Sequence, residues 1–345
     1  MGAIGLQPDD GHCDAPPPEL ILMAGRLGDR QIQPAICRNT MMPVLRFRSN
    51  GRFRIVQLTD IHWAEGSRHM PRLCRIIESI LDAEKPDLVV LTGDIVHSQA
   101  GSLDGCRKVT APLAQRAIPW AAVLGNHDDE GDASRVEIAS CLASLPFSLM
   151  QTGPAELGGT GNYFLDISAS ESSELSVRLH FVDSNSYSPL KSRGVDGYAW
   201  ITPEQIRWFQ TTVSNVPSLA FFHIPLPEYQ AAWDAGVAVG QKHEEICSPP
   251  LNSGFFTALL EAGSVLGTFV GHDHSNDFAA MLHGICLAYG RSVGLDTYGD
   301  LERGARVIEL REGRKDFESW IREESGNVAD RFSHSGLISA GKHEV

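Results

Sequence analysis

Leu88-Val89-Val90-Leu91-Thr92-Gly93-Asp94 decides how this chain is built. Four consecutive apolar residues read as a strand buried on both faces, and the polar residues after them mark its carboxyl end. The same construction flanks it. Phe53–Leu58 is β-rich and ends in Thr59-Asp60, and Trp120–Leu124 ends in Gly125-Asn126-His127-Asp128. Between the first two strands, Arg72–Ala83 sets Leu73, Ile76, Ile77, Ile80 and Leu81 at helical spacing. Another helical stretch leads from the second strand to the third. The rhythm is β-α-β-α-β. Further strands are expected at Tyr163–Ile167, Val177–Asp183, Leu219–Phe222, Val265–Val270, Ile285–Tyr289 and Ala305–Leu310. A strand-rich second half fits a two-sheet α/β sandwich better than a singly wound sheet.

Residues 1–45 carry Pro16, Pro17 and Pro18 and one short apolar run, so they are expected to be a tail, poorly ordered or docked late on the core. Residues 46–322 would form the domain and 323–345 a second tail. Across the 345 residues, 42% are hydrophobic and 21% charged, enough to bury a sizeable core. No apolar run reaches 18 residues, so no membrane span is expected. Lys and Arg number 29 against 43 Asp and Glu, a net charge of −14, which argues against general nucleic-acid binding. Local phosphate chemistry stays open, because bound metal ions can reverse the field. The seven Cys are never spaced as a CxxC pair, and no secretory signal or N-x-S/T acceptor is visible. A reduced, cytoplasmic protein is the expectation.

Polar residues collect at the carboxyl ends of the apolar strands, where α/β folds gather ligands and catalytic groups. In chain order these are Asp60 and His62, then Asp94, then Asn126 with His127 and Asp128, then His223, and last His272 with His274. Each alone is weak. Asp10-Gly11-His12 has the same spacing as Asp60-Ile61-His62 but follows no strand. Gly93-Asp94 alone is an ordinary turn, and His223 alone an ordinary core histidine. In an extended chain, the i, i+2 pairs Asp60/His62 and His272/His274 would point to one side. Taken together in this order, the segments leave little room for the bland readings.

These blocks resemble the calcineurin-like metallophosphoesterases over about residues 52–311. A closer resemblance is to the purple-acid-phosphatase-like branch of plants and fungi. It lies in Ile118–Asp128, Gly197–Ile201, Phe221–Tyr229, Asn252–Phe256 and Gly271–Phe278. The resemblance implies a four-layer α/β/β/α sandwich and two metal sites. Asp60, His62, Asp94 and His274 would hold the first; Asp94, Asn126, His223 and His272 the second, with Asp94 bridging. Imidazole and oxygen donors suit two divalent or mixed-valence ions of Fe, Mn, Zn or Co rather than Ca or Mg. A hydroxide bridging the metals would attack phosphorus in line, with His127 protonating the leaving group or steadying the transition state and Asp128 orienting His127.

The chain departs from purple acid phosphatases proper. They show D-x-G in the first block and a Tyr three residues after the bridging Asp, where this chain has His62 and His97. The ligand set is therefore complete without a tyrosinate, and His97 is expected beside it or exposed. Tyr198, Trp200 and Tyr229 could pack a substrate, although aromatics at strand ends are usually core. Arg291 could meet a phosphate oxygen, and Thr202-Pro203-Glu204 reads as a plain helix start. The implied function is a metal-dependent phosphohydrolase acting on phosphomonoesters of small molecules or other phosphorylated substrates. The alternatives are a phosphodiesterase with the same metals and a metal-free binding scaffold. Nothing in the sequence speaks to oligomeric state.

Overall fold

β1 (Arg52–Leu58), α1 (Met70–Glu84), β2 (Leu88–Thr92), α2 (Ser102–Gln115) and β3 (Trp120–Val123) follow the β-α-β-α-β rhythm in a computed structural model that describes residues 43–98 and 100–334. α1 buries Leu73, Ile76, Ile77, Ile80 and Leu81 and stops at Lys85, whose left-handed backbone returns its N–H to the Leu81 carbonyl. After α3 (Arg135–Ser144) the chain passes through β4 (Tyr163–Ser168), β5 (Leu175–Phe181), α4 (Pro203–Thr212) and β6 (Ser218–Phe221). Then come α5 (Glu228–Asp234), α6 (Phe255–Ala262), β7 (Val265–Val270), β8 (Ala279–Leu282) and β9 (Ile285–Tyr289). β10 (Gly304–Arg311), β11 (Phe317–Glu323) and β12 (Val328–Ser333) complete it. As expected, α4 starts at Thr202, which forms a reciprocal capping box with Gln205.

The strands make two mixed sheets, ordered β12-β11-β10-β1-β2-β3 and β4-β5-β6-β7-β9-β8. Period-two alternation divides the second sheet between two cores. Leu219, Phe221 and Phe269 face the first sheet, while Ala220, Phe222 and Val270 face Phe209, Tyr229 and Phe255 on the helical side. Helices α1 to α3 pack with the first sheet and its neighbours, α4 to α6 with the second. This is the four-layer α/β/β/α sandwich. In the first sheet β1, β2 and β3 run parallel with Leu58 beside Leu91 and Leu91 beside Ala122, so their carboxyl ends finish side by side. β6 and β7 are parallel as well, with Phe221 beside Phe269.

The expected boundary at 322/323 moves. Residues expected to start a C-terminal tail form β12, antiparallel to β11, with Phe332 buried. β12 escapes a sequence reading because Asp330 and Arg331 interrupt its apolar pattern, as suits an edge strand. At the other end, Leu45 and Phe47 are buried and bond to Ser168 through the backbone. Residues 1–42, including Asp10-Gly11-His12, and 335–345 lie outside the described residues. No helix among the described residues is long and apolar enough to cross a membrane.

Candidate metal centre

Six of the seven residues expected as ligands, all but Asn126, bring their donor atoms together beyond the carboxyl ends of β1, β2, β6 and β7. All are at most 6% exposed. Donor atoms of Asp60, His62, Asp94 and His274 lie within 4.8 Å of one another, and so do those of Asp94, His223 and His272. Asp94 is common to both groups. Its Oδ2 stands 3.5 Å from His62 Nε2 and 3.2 Å from His223 Nε2, while its Oδ1 accepts the His127 backbone N–H at 2.9 Å. Asp60 Oδ1 accepts the His272 N–H at 2.9 Å and lies 3.6 Å from His274 Nε2. Asn126, buried next to His127 in the chain, donates its Nδ2 to Tyr187 Oη at 3.4 Å.

The backbone reaches this geometry by a route different from the one expected. Asp60 (φ 51°), His62 (φ 47°), Asp94 (φ 48°) and His272 (φ 83°) all have left-handed backbones, so loop conformation rather than an extended pleat aims these side chains. Such residues cost roughly 1–3 kcal/mol each and cluster where function over-determines them. Two glycines are required by close approach. A Cβ on Gly125 would stand 2.1 Å from Asp94 Oδ1, and one on Gly93 2.5 Å from His223 Nδ1.

The donors fit a pair of cations. Asn126 Oδ1 and His272 Nε2 are buried with no hydrogen-bond partner among the described residues. His62 Nε2 faces His274 Nε2 at 3.2 Å, and His272 Nδ1 faces His223 Nε2 at 3.3 Å. Imidazole lone pairs converging in a buried site are what a metal ion satisfies. The far sides of two rings are already engaged. His223 Nδ1 meets the Thr92 carbonyl at 2.8 Å and His274 Nδ1 meets Thr297 Oγ1, which leaves each Nε2 for a ligand. Burial pushes His62 down to about 4 and His272 to about 3, so both rings stay neutral near pH 7. Burial opposes charge on His223 too, but Asp94 and Asp60 outweigh it and raise that ring to about 9. Burial would likewise raise Asp94, yet His223 and His62 hold it well below the carboxylate range.

His127 stands at the edge of the cluster, its ring 5.4 Å from that of His62 and its side chain 37% exposed. Asp128, expected to orient this ring, does something else. It is buried and accepts backbone N–H groups of Ile95 at 2.7 Å, Val96 at 3.0 Å and Gly125 at 2.7 Å, tying the loop after β2 to the loop after β3. Burial, with Asp94 nearby, lifts its pKa to about 6. The carboxylate on His127 is Glu130, whose Oε2 lies 2.5 Å from Nδ1. Burial would raise Glu130, but bonds from His127, Ser98 and Tyr187 outweigh it and hold it below its ordinary value. Its signal was local: a carboxylate three residues on, in a turn closed by the Glu130 N–H to the His127 carbonyl at 3.2 Å.

Arg135 was also missed, and sequence spacing carries no sign of it. It donates to the Gly125 carbonyl at 2.7 Å and pairs with Asp183 at 2.5 Å. His97 packs against His62 with ring centroids 5.8 Å apart. Tyr198 meets His272 edge-on at 4.3 Å, whereas Tyr229 is core, its hydroxyl on Thr268. Trp200 is half-buried. Arg291 is buried and committed to Asp277 and the Glu302 carbonyl, so it does not reach for a phosphate.

The calcineurin-like phosphoesterase family model matches residues 53–276, the span that carries every one of these donors. The chain belongs to the calcineurin-like phosphoesterase family. Among curated members, probable inactive purple acid phosphatase 14 of Arabidopsis thaliana is 34% identical, over 80% of this chain and 79% of that protein. Phosphatase DCR2 of Saccharomyces cerevisiae is 31% identical, over 87% of this chain and 58% of its own length. These place the chain with the purple-acid-phosphatase-like proteins of plants and fungi. Among solved structures, a dimetal phosphatase from Danio rerio superposes with a TM-score of 0.57. That match covers 81% of this chain and 98% of the other at 16% identity, a likeness of fold.

Proposed function

We propose that this phosphoesterase is a dinuclear metal-dependent phosphohydrolase acting on phosphate monoesters. The observation that carries the reading is the pair of buried donor groups sharing Asp94. Asp60, His62, Asp94 and His274 would hold one transition-metal ion; Asp94, Asn126, His223 and His272 the other. Bound there, two ions supply Lewis acidity toward a phosphoryl oxygen and a water acidified into a nucleophile.

The chain's own contribution centres on His127. Its backbone is fixed on Asp94 and its ring on Glu130, so the imidazole is held at the mouth of the cluster. With Nδ1 engaged by Glu130, Nε2 is free to hand a proton to the departing ester oxygen. Asp128 and Arg135 act indirectly, by fixing the loops that carry Asp94 and Asn126.

The test is metal analysis of the purified chain and of Asp94→Ala, beside turnover of nitrophenyl phosphate and its bis ester. The expected result is two ions per chain, both lost in the variant, with the monoester hydrolysed faster. One ion retained at full occupancy in Asp94→Ala would overturn the shared bridge, and faster cleavage of the diester would make this a phosphodiesterase. A second reading, a metal-holding scaffold without turnover, draws on the word inactive in the name of the Arabidopsis relative. A metal-loaded chain that turns over neither ester would favour it.

A further inference from the structure

Large exposed side chains scattered singly over a surface need no explanation, but two of those in this protein stand on the donor groups. Tyr298, 56% exposed, lies against His274 with centroids 4.2 Å apart and planes 30° from parallel. Tyr187, 49% exposed, stacks on Tyr198 at 6.0 Å, and Tyr198 meets His272 edge-on. Each donor group therefore carries an aromatic wall, Tyr298 on one and the Tyr187–Tyr198 stack on the other. The walls are braced at their phenol ends. Tyr298 Oη donates to Glu244 Oε2 at 2.9 Å, and Glu244 is itself held by the Ser275 N–H at 2.6 Å. Tyr187 Oη donates to Glu130 Oε1 at 2.5 Å.

Charge at this rim is equally specific. The carboxylates Glu130 and Glu244 sit beside the rings, while the nearby guanidinium groups are committed elsewhere. Arg135 is spent on Asp183, Asp129 and backbone carbonyls, and Arg303 on the carbonyls of Thr297, Tyr298 and Gly299. A rim of braced phenol rings and carboxylates recognises the organic part of an ester by stacking and repels further anionic groups.

We propose that the substrate is an aryl phosphate monoester whose uncharged planar ring stacks on Tyr298 or Tyr187, which makes these two tyrosines specificity-determining. This deepens the phosphomonoesterase reading and rests on it. The shared chemistry is a phenolic phosphate, which a small phenol or a tyrosine side chain of another protein could supply.

Binding of non-hydrolysable phosphonates to the metal-loaded full chain tests the proposal without requiring turnover. Calorimetry compares phenylphosphonate with cyclohexylphosphonate, similar in size but without a π face, and with inorganic phosphate. Phenylphosphonate is expected to bind about three- to tenfold tighter than its cyclohexyl counterpart. Tyr298→Leu or Tyr187→Leu, whichever removes the stacking face, should shrink that ratio with inorganic phosphate still bound, and the matching Phe variant should keep it. A ratio unchanged in both Leu variants would overturn the assignment to these rings. A phosphonate analogue of a phosphotyrosine peptide binding tighter than phenylphosphonate would assign the protein source; weaker binding would assign the small phenol. Equal affinity for the phenyl and cyclohexyl compounds, with phosphate bound, would overturn the aromatic proposal and leave the phosphohydrolase reading intact. A metal-loaded chain that binds no phosphate at all would overturn the reading beneath both.

Discussion

Glu130 and Asp128 show how two neighbouring carboxylates divide their work by direction alone. Asp128 points inward to three backbone N–H groups, and Glu130 points back along its turn to the His127 ring. Glu130→Gln keeps the size but removes the charge, so the metals should stay and turnover should fall about 10- to 100-fold, as when a partner orienting a functional histidine is removed. The loss should be larger for an alkyl than for an aryl phosphate if His127 acts as proposed, since an alkoxide needs a proton to leave. Rates for the two substrates, with metal content measured in parallel, check this; equal losses would mean that Glu130 does not act through proton transfer. The left-handed ligands give a second expectation. In the protein stripped of metal, His62→Gly should be more stable than His62→Ala by about 1 kcal/mol, because only glycine takes φ 47° without strain. Paired urea melts measure it, and equal stability would show that this backbone relaxes when the imidazole is gone. The metal donors were legible because each follows a buried strand. The partner of His127 was not, since a turn's conformation rather than its composition selects which carboxylate returns to the ring.

β5 carries a test at the level of the element. His180 lies at its carboxyl end, fully buried, its ring 4.9 Å from that of Phe209 in α4, and neither nitrogen has a partner among the described residues. Burial, with Arg178 near, depresses its pKa to about 3. A pKa depressed on folding means that the unfolded chain binds the extra proton, so the stability is fully present above about 6.5 and is lost as pH falls through that value toward 3. Replacing His180 by Leu removes the proton site. Between pH 6 and 4, wild type should therefore lose stability faster than His180→Leu, by up to about 1.4 kcal/mol per pH unit. Urea midpoints across that range decide it; parallel slopes would mean that β5 admits the proton without unfolding. Nothing in Val177-Arg178-Leu179-His180-Phe181 marks this histidine apart from His223 at the corresponding end of β6, and only the third dimension separates a core ring from a metal donor. The central strands were legible from their apolar runs. β8 was not: Ala279-Ala280-Met281-Leu282 has no β-branched residue, and its pairing with β9 defines it.

Across the whole molecule, the centre is a seam between two sheets. Asp60, His62, Asp94 and Asn126 follow strands of the first sheet, and His223, His272 and His274 follow strands of the second. Below the donors the two sheets are joined by Gln57 Nε2, bonded to the Val270 carbonyl at 2.9 Å, and by a shared apolar core. A bound metal pair would thus tie together loops from both sheets while the core keeps them one cooperative unit. Cations that bind the folded chain and not the unfolded one stabilise it by about 2.7 kcal/mol when free metal stands 100-fold above its dissociation constant. For a chain of this length that corresponds to roughly 4 °C in melting temperature. Chelation should lower the midpoint by that amount in one transition, because neither sheet can release the seam without exposing the shared core. Asp94→Ala, which has lost the common ligand, should melt at the same temperature with or without chelator. Differential scanning calorimetry on both proteins separates the contributions. A chelator-induced second transition would show that the sheets part independently, and an unshifted wild-type midpoint would show that the seam gains nothing from metal.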